Sequence, residues 1–167
     1  VEMSPYSKYA LTNEEKKRGL ILACRSVPWS DCKISIVSED EMIVHSNRLL
    51  ECKVTKLVQI THDIKILEMD IISGGPFSFT AGQYASLTFE KLPPRDYSMA
   101  NTPAEDKLEF HIRLVPDGKV TPHIQNNLKV GDTVGVQGPC GSAYFRENHK
   151  GPIIAVAGGT GLAPIKS

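Results

Sequence analysis

The sequence predicts a mainly β domain, a barrel or sandwich of short antiparallel strands. Three observations carry that expectation. Brief alternations of apolar and polar residues recur between positions 49 and 147, and turn-forming clusters separate them at short intervals. The apolar runs fall far short of the roughly 20 residues that a membrane-spanning helix needs.

Composition narrows the class. Of 167 residues, 41% are hydrophobic and 23% charged, enough apolar material for a core and too much for a disordered segment. Lys plus Arg total 19 and Asp plus Glu total 19, so the basic footprint of a nucleic-acid binder is missing. Neither a nucleic-acid nor a membrane partner is expected. Cys24, Cys32, Cys52 and Cys140 stand singly, without a C-x-x-C pair, which argues against a disulfide framework or a self-contained zinc site. With no visible signal peptide, the expectation is a soluble, cytoplasmic protein. Val1 is not a start methionine and Ser167 follows closely on a glycine-rich turn, so a piece of a longer protein is expected.

Element by element, Thr12 with Glu15 three residues on is a capping-box pattern, and Gly19 suits a helix stop, which predicts a helix of about two turns. Cys32 to Ile36 alternates as a half-buried strand. Residues 38–48 are polar and without period, a linker. Leu50, Cys52 and Val54 then alternate with polar neighbours. Ile64 and Ile66 shift phase to Leu67, Met69 and Ile71, which predicts a bulge. Ser73 to Pro76 is a turn, and Ala85, Leu87 and Phe89 share one strand face. In the strand from Lys107 to Leu114, Leu108, Phe110, Ile112 and Leu114 face one way, and Lys107, Glu109, His111 and Arg113 the other. Pro116 to Gly118 is a turn, Thr121-Pro122 caps and opens a short helix to about Leu128, and Thr133 to Val136 is a strand. Gly138 to Ser142 reads as a glycine-rich turn. Ile153 to Ala157 is the continuous apolar run of a parallel strand buried on both faces. Gly158-Gly159-Thr160-Gly161 and a helix start at Leu162 to Ile165 follow it, the opening of a nucleotide-binding α/β unit.

Several residues could carry chemistry. Arg95 and Tyr97 lie on one face of a strand with Ser98 beside them. An arginine fork clamps phosphate, a tyrosine covers a planar ring, and a serine reaches a ring nitrogen. Alone, the trio also suits an ordinary strand with one exposed arginine. Gly118-Lys119-Val120-Thr121 runs a glycine turn into a helix start, where backbone N–H groups meet an anion, or Gly118 closes a hairpin and nothing more. His111 and Arg113 share the polar face of their strand, toward a ligand or toward solvent.

In order, R-x-Y-S, G-x-x-S/T, G-P-x-G-S and G-G-T-G-x-A-P resemble the ferredoxin–NADP reductase superfamily. The first segment, L-T-x-E-E-x-x-x-G-x-x-L-A-C-R-x-x-P-x-S-D-C, is similar to the end of a plant-type ferredoxin domain. That domain order resembles the reductase components of bacterial ring-hydroxylating dioxygenases and multicomponent monooxygenases. The resemblance implies a six-stranded antiparallel Greek-key flavin-binding barrel. It divides the chain into a ferredoxin remnant at 1–37, the linker at 38–48, an FAD-binding barrel at 49–150 and the start of an NAD(P)-binding domain at 151–167.

By the same resemblance, Arg95 holds flavin phosphate, Tyr97 packs on the isoalloxazine and Ser98 reaches N5, the last two as catalytic residues. Gly118, Lys119, Val120 and Thr121 form the flavin-phosphate turn, with His111 and Arg113 nearby. Gly158, Gly159, Thr160, Gly161 and Pro164 form the nicotinamide-nucleotide loop. Cys24 matches one ligand of a 2Fe–2S cluster whose other three ligands lie outside the chain, so the cluster belongs to the full-length parent. The implied activity passes electrons from NAD(P)H through FAD and the cluster to an oxygenase or ferredoxin component. The chain alone is expected to be inactive with NAD(P)H. Deoxysugar reductases of the same domain order, and a flavin module without turnover, are the alternatives.

Overall fold

In the computed structural model, residues 2–6, 10–33 and 43–167 are described. They fall into two compact units, divided between Glu39 and Asp40.

The first unit is small. Strands β1 (Glu2–Met3) and β2 (Ser26–Val27) pair antiparallel. Between them lies α1 (Asn13–Lys17), whose N-cap is Thr12. The Thr12 hydroxyl accepts from the Glu15 N–H at 3.3 Å, and the Thr12 N–H donates to the Glu15 carboxylate at 2.8 Å. The capping box expected from the sequence is therefore formed. The bond from the Thr12 N–H, and after it one that the Thr12 hydroxyl donates to the same carboxylate at 2.8 Å, hold the Glu15 carboxyl below its ordinary value. Gly19, at φ +81°, follows the helix in the left-handed conformation that ends it. Cys24 sits in the 3₁₀ turn Ala23–Arg25 and is exposed. The strand expected over Cys32 to Ile36 lies mostly outside the described residues.

The second unit is a six-stranded antiparallel sheet in the order β6-β5-β8-β3-β4-β7. Its strands are β3 (Arg48–Gln59), β4 (Ile64–Ser73), β5 (Tyr84–Phe89), β6 (Arg95–Ser98), β7 (Lys107–Arg113) and β8 (Thr133–Cys140). The β4–β5 and β7–β8 connections each pass over two strands, the Greek-key pattern. The edge strands β6 and β7 meet at a Met99–Phe110 bridge, which rolls the sheet into a nearly closed barrel. The core follows the alternations in the sequence: Leu50, Cys52 and Val54 of β3, Ala85, Leu87 and Phe89 of β5, and Leu108, Phe110 and Ile112 of β7 are all buried. The bulge expected between Ile66 and Leu67 is not found there, where the register is continuous; the β3–β4 ladder shifts instead at Thr55 on β3 and at Ile72 on β4. Helix α2 (Thr121–Asn126) packs Ile124 into the core, flanked by buried Val120 and Leu128. The Lys65 ammonium of β4 donates to the carbonyls of Ile124 at 3.4 Å and Gln125 at 2.5 Å, serving acceptors that the helix leaves unpaired.

Three further local expectations are corrected. Gly138 to Cys140 is not a turn, since β8 continues through it with a register shift against Tyr84 and Ser86. A Cβ at Gly138 would lie 3.0 Å from the Ala85 Cβ, so the close approach of β5 selects glycine there. Thr121 does not cap α2. Val120 is the N-cap, and the Thr121 hydroxyl instead accepts from the Val115 N–H at 3.0 Å and donates to its carbonyl at 3.2 Å. Finally, Ile153 to Ala157 forms no strand, and Ile154 and Val156 are 90% and 88% exposed. A continuous apolar strand needs ladder partners and covering layers, and among the described residues this run has neither. The chain then enters a 3₁₀ turn (Gly159–Leu162) and α3 (Ala163–Lys166). No described helix is long and apolar enough to cross a membrane.

Leu67, fully buried in β4, anchors this core. Leu67→Ala should cost about 2–5 kcal/mol. Val58→Ala, at a site 39% exposed, should stay within about 0.5 kcal/mol. Urea denaturation followed by circular dichroism measures both, and equal midpoints would contradict the assigned core.

Candidate functional site

The barrel seam is also where a cleft opens. From the Met99–Phe110 bridge, β6 runs back toward Arg95 and β7 runs on toward Arg113, and beyond the bridge the two strands share no ladder. Continuing that register would set Tyr97 opposite Ile112. The strands diverge instead, and the turn entering α2 comes up beside them.

The resulting cleft has a volume of about 510 Å³, within the roughly 300–1,000 Å³ usual for small-molecule sites. Arg95, Asp96 and Tyr97 form one wall, and His111, Arg113 and Val115 another. Gly118, Lys119, Val120 and Thr121 close the end, and Thr160 reaches in from the later glycine loop.

Each wall has a distinct character. Arg95 is exposed, and its Nη1 donates to the Pro94 carbonyl at 3.0 Å. No carboxylate pairs with it among the described residues, which leaves the fork available to an anion. Tyr97 is half-buried and packs against the core. Burial raises its phenol pKa, and the neighbouring Arg95 charge partly offsets the rise. The ring therefore stays a neutral, partly apolar plate at neutral pH. At the closed end, the N–H groups of Val120 and Thr121 have no acceptor within α2. A Cβ at Gly118 would lie 3.0 Å from the Val115 carbonyl and 3.1 Å from the Thr121 hydroxyl, so a side chain there would crowd the turn.

His111 is buried, not solvent-facing. One ring nitrogen, Nε2, lies 2.8 Å from Glu109 Oε1. The same carboxylate accepts two bonds from the Lys166 ammonium, each 2.6 Å. Burial alone would push the Glu109 carboxyl up, but the hydrogen bonds and charges of Lys166 and His111 outweigh it and bring it below its ordinary value. Lys166 belongs to α3, so this carboxylate also fastens the segment after the glycine loop to β7.

The structure thus brings Arg95, Tyr97, His111, Arg113, Gly118 to Thr121 and Thr160 to one cleft. Ser98, Gly158, Gly159, Gly161 and Pro164 are not on its walls. Gly158 and Gly161 have nothing within 4 Å of an added Cβ. Among the described residues no group of three or more His, Cys, Asp or Glu side chains could hold a metal ion, so Cys24 has no companions for a cluster here. Asp96 and Val115 are the cleft's unforeseen lining residues, and Glu109 stands behind it as the partner of His111. Glu109 was readable, because it shares the outward face of β7 with His111 and Arg113.

The barrel seam thus sets an arginine without a carboxylate partner among the described residues, an aromatic plate and the N–H groups of a helix start around one cleft. Comparison with known proteins defines the class. The chain belongs to the oxidoreductase FAD-binding domain family, whose sequence profile matches residues 51–145. It is 44% identical over 147 residues to the ferredoxin–NAD(P)(+) reductase component of the naphthalene 1,2-dioxygenase/salicylate 5-hydroxylase systems of Ralstonia sp., covering 88% of this chain and 44% of that protein. It is 35% identical over 175 residues to the propane 2-monooxygenase reductase component of Gordonia sp., covering 100% and 50%. Among solved structures, an Amycolatopsis cytochrome P-450 reductase superposes with a TM-score of 0.70 at 33% identity, covering 99% of this chain and 51% of that one. The chain spans about half the length of the curated relatives it matches.

The Glu109 hub generates a pH prediction. A carboxyl with a lowered folded pKa contributes stability above its unfolded value, and that stability is lost as pH falls through the folded value. Urea midpoints measured from neutral pH down through the carboxylate range should fall less steeply for Glu109→Gln than for the unaltered chain. Parallel pH profiles would show that the hub does not contribute.

Proposed function

We propose that this chain is the flavin-binding module of an NAD(P)H-dependent reductase that delivers electrons to an oxygenase or ferredoxin component. One observation carries the reading: the barrel seam brings the Arg95–Tyr97 wall, the His111–Arg113 wall and the Gly118–Thr121 turn to a single cleft. The residues present suit FAD. Arg95 and the N–H groups at the start of α2 would bind its phosphates, and Tyr97 would cover one face of its ring system and exclude water from it. Ser98, half-buried beside Tyr97, would offer its hydroxyl to a ring nitrogen after a small local movement. When bound, the flavin supplies the ability to take two electrons from a nicotinamide and pass them on singly.

The wider role draws on the relatives, which are named as reductase components of dioxygenase and monooxygenase systems. By analogy the electron donor is a nicotinamide nucleotide, met by the Gly158–Pro164 segment, and the acceptor is an oxygenase or ferredoxin component. The 2Fe–2S cluster of the full-length parent would draw on Cys24. No step is assigned to a cluster in this chain, since one exposed cysteine does not make its site.

The test is flavin affinity. Arg95→Ala should weaken FAD binding by about 1.5–3 kcal/mol, the range for a charged hydrogen bond. Arg95→Lys should recover part of that, because an ammonium lacks the bidentate fork. Fluorescence titration measures all three proteins, and equal affinities would reject the cleft as the flavin site.

A further inference from the structure

Arg113 differs from the other cations of the cleft in how it is held. Its Nε donates to Oδ2 of Asp63 at 2.7 Å. The other oxygen of that carboxylate accepts from the Thr61 hydroxyl at 2.9 Å, and the Thr61 hydroxyl oxygen accepts from the Ile64 N–H at 3.0 Å. The Asp63 carbonyl also accepts from the Leu114 N–H at 2.7 Å, next to the Ile64–Arg113 pair of the β4–β7 ladder. The loop between β3 and β4 is thus laced to the end of β7. Among the described residues, the other titratable group within ion-pair distance of this carboxylate is His62, 3.7 Å away and 91% exposed.

Magnitudes indicate what the pair does. The Arg113 side chain is 63% exposed, and exposed ion pairs contribute about 0–1 kcal/mol to stability. Stability is therefore a weak reason for so many bonds. Orientation is a better one. The bond to Asp63 uses Nε and leaves both terminal guanidinium nitrogens for the cleft that Arg113 lines.

We propose that Asp63, steadied by Thr61, is a positioning residue that presents the Arg113 fork to the phosphates of the bound cofactor. The loop between β3 and β4, outside every recognisable motif, thereby favours FAD over unphosphorylated riboflavin. The inference rests on the flavin reading of the cleft. Fixing a flexible side chain in advance saves the ordering cost that binding otherwise incurs, which predicts an effect of about three- to tenfold in affinity. Asp63 carries a charge that itself repels phosphate, so an effect arising from orientation must survive removal of that charge.

Affinity for FAD and for riboflavin is measured by fluorescence titration of the full chain and its variants. Asp63→Ala is expected to bind FAD about three- to tenfold more weakly with riboflavin unchanged. Asp63→Asn, which keeps an acceptor for Nε, is expected to stay within about twofold of the unaltered chain. In an Arg113→Ala background, Asp63→Ala should have no further effect. Thr61→Val gives the same FAD-selective loss by a second route if Asp63→Ala folds poorly. An unchanged FAD affinity in both Asp63→Ala and Thr61→Val overturns the inference. So does an equal loss for riboflavin, or an effect that persists without Arg113. If the unaltered chain binds neither flavin, the flavin reading fails and this inference fails with it.

Discussion

The Met99–Phe110 bridge is the contact on which the rest depends. Six strands make a barrel only if the two edge strands find each other, since an open edge leaves a row of backbone donors and acceptors unpaired. Here β6 is four residues long, and it meets β7 at a single bridge, backed by the Ala100 N–H to the Glu109 carbonyl at 2.8 Å. One contact closes the core around buried Phe110 and Met99. Beyond it the strands part, and what a continued ladder would have filled becomes a cleft. The barrel's incomplete closure and its candidate site are one feature.

The chemistry of that seam follows from how its charges are held. Arg95 is kept without a carboxylate partner among the described residues, Arg113 is pinned through one nitrogen, and the Glu109 carboxylate is shared between His111 and Lys166. Phosphate binding needs cations whose donors remain available, and both arginines meet that condition by different routes. Beneath the seam the interior is chemically quiet. Burial, then the nearby Glu51 charge, pushes the Cys52 thiol up to about 12, so it behaves as a small apolar side chain and not as a nucleophile.

Much of this was legible in the sequence because it rests on period-two alternation and local turn chemistry. Leu50-Cys52-Val54 and Leu108-Phe110-Ile112 declare their inward faces, and Thr12 with Glu15 declares a helix start. The residues of the cleft were legible through motif order, since Arg95, Tyr97 and Gly118 to Thr121 form an ordered pattern although distant in the chain. What escaped depends on register and on neighbours. Asp63 reaches Arg113 because β4 pairs with β7, and no pattern around position 63 announces that. Gly138 reads as a turn residue, yet it lies in β8, where an added Cβ would be 3.0 Å from the Ala85 Cβ of the neighbouring strand. Ile153 to Ala157 has the composition of a buried strand, yet among the described residues it meets no partner strand and is left exposed.

The central claim is that three segments distant in sequence make a single cofactor site at the seam of the barrel. Amide hydrogen exchange, compared with and without saturating FAD, tests it most directly. The account predicts slowed exchange concentrated at residues 95–98, 111–115 and 118–121, with little change in the β3–β8 ladder on the far side. Protection spread evenly over the barrel, or confined to residues 153–162, would contradict it.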